Sequence, residues 1–263
     1  MSKHANADAK PVVVKIGGGA LAGGALEDLP GLLAGGRRIV LVHGGGQQLS
    51  RMLDAHGIQS RFHEGLRVTD EATLEVAEMV FAGTVNKSLA RELHDLGVPA
   101  AGISGTDGPT LLVEPVPHLG RVGSVTGVEP DLIESLWRGG FVPVVAPLGL
   151  GPEGAYNVNA DAAAAALAVG LGAAHLLLLT DVDGLLEEGE TVEALTPQEC
   201  EGYVERGLAA GGMVPKLRAA SEAARGGVQA RIVNGNTKGV LAAAIAGEPV
   251  GTLISEGVAA CKQ

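Results

Sequence analysis

Lys15 stands where three valines end and three glycines begin, in Val12-Val13-Val14-Lys15-Ile16-Gly17-Gly18-Gly19. A buried strand that delivers a cation to a glycine turn suits phosphoryl transfer. Glycine lets backbone N–H groups close on phosphate oxygens, and the ammonium adds the positive charge that such a site must concentrate. The same segment also fits a glycine-rich turn with a snorkelling lysine, so the rest of the chain must decide. A second glycine run, His43-Gly44-Gly45-Gly46, follows Ile39-Val40-Leu41-Val42 and precedes a helical stretch from Gln47 to Ala55. The N–H groups of Gly45 and Gly46 there can grip an anion at a helix N-terminus. A second lysine, Lys216, follows Gly211-Gly212-Met213-Val214-Pro215 near another helix entrance.

Three polar clusters accompany the lysines. Gly65-Leu66-Arg67-Val68-Thr69-Asp70 places Arg67 in a turn before a long helix. A guanidinium there can hold a carboxylate through two parallel hydrogen bonds; the alternative is a surface ion pair. Asn157-Val158-Asn159-Ala160-Asp161 leads into an alanine-rich helix running to about Gly170. Capping explains one of those polar side chains but not all three. Thr180-Asp181-Val182-Asp183-Gly184 follows an apolar strand and forms a turn able to receive a nucleotide.

Other readings of the glycines are weaker. Gly17, Gly19 and Ala22 satisfy a permissive dinucleotide-binding pattern, but no acidic residue ends the next strand, where a ribose would be held. Lys87-Ser88 lacks the glycine of a P-loop and lies within a helical stretch. The seven histidines and two cysteines are scattered, and no metal-ligand spacing or Ser/His/Asp arrangement is visible locally.

The elements that must position these groups alternate along the chain. Strand-like runs cover Val12 to Ile16, Arg38 to Val42, Val98 to Ile103, Val142 to Ala146, His175 to Thr180 and Gln229 to Val233, with helical stretches between them. That alternation predicts an α/β fold with a mostly parallel open sheet and helices on both faces. Between Thr106 and Gly127, alternating Leu111, Val113 and Val122 suggest short hairpin strands. The stretch Asp70 to Leu96 reads as one long helix with Asp70 as N-cap and Gly97 as its stop. Leu74, Ala77, Phe81, Val85, Leu89, Leu93 and Leu96 form its sheet-facing stripe; Val76, Met79 and Val80 extend the apolar surface, which fits either deep burial or a subunit interface.

The chain has 263 residues, 46% of them hydrophobic, yet only one Trp, two Tyr and three Phe, so the core must be aliphatic. Mean hydropathy is +0.26. A formal charge of −11 argues against nucleic acid and anionic membranes as partners, while still permitting ATP if the cations are gathered in one place. No apolar run approaches a membrane span, and Met1 to Lys10 reads as a short mobile tail without a secretion signal. Cys200 and Cys261 fit two free thiols in a reducing cytoplasm.

Taken together, the segments around Lys15, His43, Arg67, Asn86-Lys87, Asn157, Thr180 and Lys216 resemble the amino acid kinase family over about Pro11 to Ser255, nearly the whole chain. The Arg67 and Asn157 motifs resemble most closely the branch whose acceptor is N-acetyl-L-glutamate. The resemblance implies a three-layer αβα sandwich: after the tail of residues 1–10, an N-terminal lobe (11–155) binds the acyl amino acid and a C-terminal lobe (156–263) binds MgATP. It implies transfer of the γ-phosphoryl group to the side-chain carboxylate of N-acetyl-L-glutamate, an early step of arginine biosynthesis, in the cytoplasm. By the same resemblance, Lys15 and Lys216 stabilise charge on the moving phosphoryl group and Asp161 orients both lysines. Gly45, Gly46, Arg67 and Asn157 bind the acylated amino acid, while Gly17, Gly18, Thr180, Asp181, Gly184, Leu185, Gly212 and Met213 border the nucleotide. No protein metal site is implied, Mg2+ being held mainly by ATP.

Arginine-inhibited relatives of this branch carry an N-terminal helix that joins dimers into hexamers, and Met1 to Lys10 is too short and polar to supply it. The expectation is a homodimer built around the Asp70 to Leu96 helix, with little feedback inhibition by arginine. Two rival expectations are a sibling kinase acting on carrier-linked aminoadipate and a catalytically silent nucleotide-binding regulator.

Overall fold

The computed structural model describes residues 9–17 and 23–257. Gly18, Gly19, Ala22, Cys261 and the first eight residues of the expected tail lie outside them. An eight-stranded sheet runs in the order Ala194–Leu195, Thr252–Ile254, Gln229–Asn234, His175–Thr180, Val12–Ile16, Ile39–His43, Val142–Ala146 and Ala100–Ser104. The six strands expected from sequence are all in it and all mutually parallel. The two short strands that were not foreseen close one edge, Thr252–Ile254 running antiparallel to Gln229–Asn234. Parallel strands buried on both faces need unbroken aliphatic runs, which Val12–Ile16 and Ile39–His43 provide with every residue buried.

The period of two along a strand sends neighbouring side chains to opposite faces. Val12, Val14 and Ile16 pack in one cluster with Leu29, Leu89, Leu93 and Leu241. Val13 packs in the other, with alanines of the helices Ala160–Gly170 and Met213–Arg225. Lys15 has the parity of Val13, so the strand aims it at those two helices. The alanines let them approach closely, and no large aromatic is needed between helix and sheet.

Beside the sheet, Leu111–Pro115, Val122–Val128, Leu148–Gly151 and Gly154–Val158 close into a small barrel. The first two are the expected hairpin strands; the second two, one of which carries Asn157, were not anticipated. A separate hairpin pairs Arg61–His63 with Leu66–Val68 through Glu64 and Gly65, both with positive φ. Arg67 therefore sits on a strand rather than in a turn, because the turn falls two residues earlier, where glycine tolerates φ of +82°.

The helical stretch 70–96 begins and ends as expected: Asp70 accepts a hydrogen bond from the Thr73 N–H, and Gly97, with φ of +77°, stops it. It is not one α-helix. Met79–Val85 is a π segment between Glu71–Glu78 and Asn86–Asp95. The wider turn rotates the helix surface, so that Val76, Val80 and Phe81 are buried together while Met79 stays 54% exposed.

Candidate active site

Lys15 leaves the carboxyl end of its strand and meets Asp161, its Nζ 3.0 Å from Asp161 Oδ1. Lys216, in the second turn of Met213–Arg225, approaches the same oxygen at 3.5 Å. All three residues are at least 92% buried. The Asn159 side chain caps the helix that carries Asp161 by accepting from the N–H groups of Asp161 and Ala162. The helix N-terminus then favours the Asp161 charge electrostatically. Two ammonium groups against one carboxylate leave this buried cluster with a net positive charge. Burial pushes the Lys15 ammonium below the usual lysine range and Lys216 pushes the same way, while Asp161 pulls it back up. Such a cluster has a strong electrostatic reason to accept an anion.

A cavity of about 240 Å³ opens in front of Lys15 and Asp161, lined also by Gly45, Gly46, Arg67 and Asn157. Gly45 adopts φ of +152°, and a Cβ there would stand 3.0 Å from the Phe81 ring; only glycine fits. Arg67 is 92% buried and donates to Ser60 Oγ, to Ser50 Oγ at 2.8 Å and to the Gly46 carbonyl at 3.2 Å, with its guanidinium 4.6 Å from the Phe62 ring centroid. These partners hold its geometry without neutralising it. Burial lowers its pKa and the field of Asp54 opposes that shift. Asn157 Nδ2 donates to Thr69 Oγ1 at 3.0 Å, tying the barrel to the segment that carries Arg67. Ser50, Ser60 and Phe62 carried no sequence signal of their own, and Phe81 was read only as part of the sheet-facing stripe; the hairpin and the π segment bring Phe62 and Phe81 to the cavity wall, while Ser50 and Ser60 hold Arg67.

A larger cavity of about 560 Å³ shares Gly65, Leu66 and Asn159 with the first and is walled by Gly211, Gly212 and the helix bearing Lys216. Met213 opens that helix, half-buried. Gly17, Thr180, Asp181, Gly184 and Leu185 lie at or just past the carboxyl ends of two adjacent strands, and neither cavity wall includes them. Gly17 follows Val12–Ile16, and a Cβ on it would stand 3.0 Å from the Leu179 carbonyl. Thr180 ends His175–Thr180 and donates to Asp181 Oδ1 at 3.2 Å. Gly184 has φ of +154°, and a Cβ there would be 2.6 Å from Thr252 Oγ1. Leu185 is buried, its N–H donates to Thr252 Oγ1 and its carbonyl accepts from the Val192 N–H, which fixes the shape of the turn. Gly18 lies outside the described residues.

The Asn86-Lys87 motif holds the sheet rather than a ligand. Asn86 Nδ2 bonds to His43 Nε2 and to the carbonyls of Ile103 and Val144, joining three strands, and Lys87 Nζ donates to Asn86 Oδ1 and the Gly102 carbonyl. A Cβ at Gly102 would come within 2.0 Å of Asn86 Oδ1, which explains that glycine. Buried His43 is held neutral, its pKa lowered to about 4 chiefly by burial.

The sequence profile of the amino acid kinase family matches residues 10–234. The chain is 71% identical over 247 residues to an acetylglutamate kinase of Rubrobacter xylanophilus, covering 94% of this chain and 98% of the relative. It is 41% identical to an acetylglutamate kinase of Syntrophomonas wolfei over 92% and 90% of the two chains. A solved structure from Streptococcus mutans superposes with a TM-score of 0.83 at 29% identity, covering 93% of this chain and 98% of that one. With its lysines on one buried carboxylate and its glycine turns at one sheet edge, the chain belongs to the amino acid kinase family.

Proposed function

We propose that the protein transfers the γ-phosphoryl group of ATP to the side-chain carboxylate of N-acetyl-L-glutamate, forming the acyl phosphate used in arginine biosynthesis. The observation that carries this reading is the pairing of Lys15 and Lys216 on Asp161 beside a cavity whose far wall presents the unneutralised guanidinium of Arg67. The extent of identity to acetylglutamate kinases supports the choice of acceptor.

The reaction needs little proton chemistry. The acceptor carboxylate is ionised at neutral pH, so no base is required to make the nucleophile. The barrier is electrostatic, because an anion must approach a polyanion. Gly45, Gly46, Arg67 and Asn157 hold the acyl amino acid. Lys15 and Lys216 neutralise the charge on the equatorial oxygens of the transferring phosphoryl group while Asp161 keeps both ammonium groups in place. An acceptor oxygen forms its bond to phosphorus as the bond to the β,γ-bridging oxygen breaks, and ADP leaves with that oxygen's charge.

Residues 11–155 supply most of the acceptor side and residues 156–263 most of the nucleotide side, with Asn157, Gly17 and Gly18 crossing that division and one continuous sheet running through both. Gly17, Gly18, Thr180, Asp181, Gly184, Leu185, Gly212 and Met213 border the nucleotide. Among the described residues no three His, Cys, Asp or Glu converge as a metal site. Magnesium enters on the ATP phosphates. The protein works in the cytoplasm as a homodimer joined through residues 70–96, where Met79 is exposed beside Glu75 and Glu78.

A hydroxylamine trap for acyl phosphate, with N-acetylglutamate, glutamate, aspartate and N-acetyl-aminoadipate offered in parallel, tests the reading. Hydroxamate formed chiefly from N-acetylglutamate is expected. Product from the aminoadipate analogue alone, or none with any acceptor, refutes it.

A further inference from the structure

Two turns meet at the carboxyl edge of the sheet: residues 180–184, already assigned to the nucleotide, and residues 234–239, which have no role so far. Asn234 ends Gln229–Asn234 directly opposite Thr180 in the strand register. Its Nδ2 donates to Asp183 Oδ1 at 2.8 Å, across to the turn of residues 180–184. Its Oδ1 accepts from the Asn236 N–H at 3.0 Å, within its own turn. The Gly235 N–H donates to the Thr180 carbonyl at 2.8 Å, adding a second link between the same two turns.

The turn of residues 234–239 is also the surface on which the chain returning from the Lys15 glycines rests. A Cβ on Gly23 would lie 2.1 Å from the Gly235 carbonyl oxygen, and one on Gly24 would lie 2.9 Å from that of Asn236. The Ala25 N–H donates to the Gly235 carbonyl at 3.0 Å, and Lys238 pairs with Glu27 at 2.9 Å. Asp28 then accepts from the N–H groups of Gly239, Leu241 and Ala242, capping Val240–Ala246 from the other end of the chain. Backbone contact this close couples the two segments, since neither can shift far without moving the other.

We propose that Asn234 is a positioning residue for the nucleotide: its carboxamide locks residues 180–184 to residues 234–239, the platform against which Gly23 and Gly24 seat. The inference rests on the reading that this sheet edge holds ATP. Neither cavity wall includes Asn234, so it acts through the turns it joins.

The two halves of the carboxamide make the test specific. Asn234→Asp keeps an oxygen for the Asn236 N–H but replaces the donor to Asp183 with a like charge. It is expected to weaken ADP binding in calorimetry, and to raise KM for ATP, by about tenfold, with kcat and KM for the acyl amino acid within about twofold. Pairing Asn234→Asp with Asp183→Asn exchanges donor and acceptor at constant net charge and is expected to recover most of the affinity. Unchanged ADP affinity in Asn234→Asp overturns the proposal. So does failure of the exchanged pair to recover affinity while Tm is wild-type, or a uniform loss of kcat and both KM values. Wild-type protein that binds ADP but forms no acyl phosphate refutes the kinase reading instead, and the ADP measurements still decide the role of Asn234.

Discussion

Lys15 and Lys216, drawn from opposite ends of the chain, reach the same Oδ1 of Asp161 from 3.0 and 3.5 Å. The arrangement holds two cations at one point with a single countercharge. One buried cation is thereby left without a countercharge of its own, which favours an anionic ligand at this point.

Lys15→Ala is expected to fold and to lose about 10²- to 10³-fold in kcat, with smaller changes in KM, as for removal of one donor to a developing anion. Removing one of two paired cations leaves Asp161 with Lys216. Circular dichroism and the hydroxamate assay check it; wild-type turnover refutes the role.

Asp161→Asn should lower turnover and destabilise the fold by about 3 kcal/mol or more, since two buried ammonium groups lose their countercharge. It should also move the alkaline limit of activity. Burial already lowers the Lys15 pKa and Asp161 opposes that shift, so loss of the carboxylate lowers it further. The protonated lysine, and with it kcat, then disappears at a lower pH than in the wild type. A pH–rate profile with an unmoved alkaline limb would contradict this.

Arg67→Lys should raise KM for the acyl amino acid by about tenfold or more while kcat changes little. An ammonium cannot reproduce the planar donors now directed at Ser50, Ser60 and Gly46, nor the stacking over Phe62. An unchanged KM removes Arg67 from the acceptor site.

Stability should fall in acid through His43. Its folded pKa of about 4 lies below the unfolded 6.5, so between these values the unfolded chain binds more protons and stability rises with pH. Cooling the comparison to one residue, the neutral imidazole contributes stability present above about pH 6.5 and lost by about pH 4, roughly 3 kcal/mol in all. Denaturant titrations of wild type and His43→Asn over that interval check it. The variant is expected to be less stable at neutral pH, because the contacts to Asn86 change, but to show a flatter pH dependence.

Light scattering should give a dimer, and Met79→Glu, which sets a carboxylate beside Glu75 and Glu78 on the exposed side of residues 70–96, should shift it toward monomer. A monomeric or hexameric wild type contradicts the proposed assembly.

Much of the fold was legible because parallel strands buried on both faces must be written as aliphatic runs, and those runs are distinct between alanine-rich helices. The Asp70 cap and the Gly97 stop were legible for the same kind of local reason. The π segment was not, since Met79–Val85 has the composition of an ordinary helix and its wider turn is a response to packing. Arg67 was misplaced by two residues because the Glu64-Gly65 turn, not the arginine, is where the chain reverses. Leu148–Gly151 and Gly154–Val158 are too short and glycine-rich for periodicity to reveal.

The sequence by itself determined that a cation would stand at the end of a buried strand before a glycine turn, since strand parity and glycine's freedom at positive φ are local properties. Tertiary structure alone decided that Lys216 and Asp161 would meet it. That meeting depends on the helices Ala160–Gly170 and Met213–Arg225 packing on one face of the sheet, a contact between residues far apart in the chain that no local pattern encodes. The same holds for Arg67 with Ser50 and Ser60, and for Asn234 with Asp183: side-chain identity is written in the chain, but partnership is set by the packing of elements whose separation in sequence carries no information about their distance.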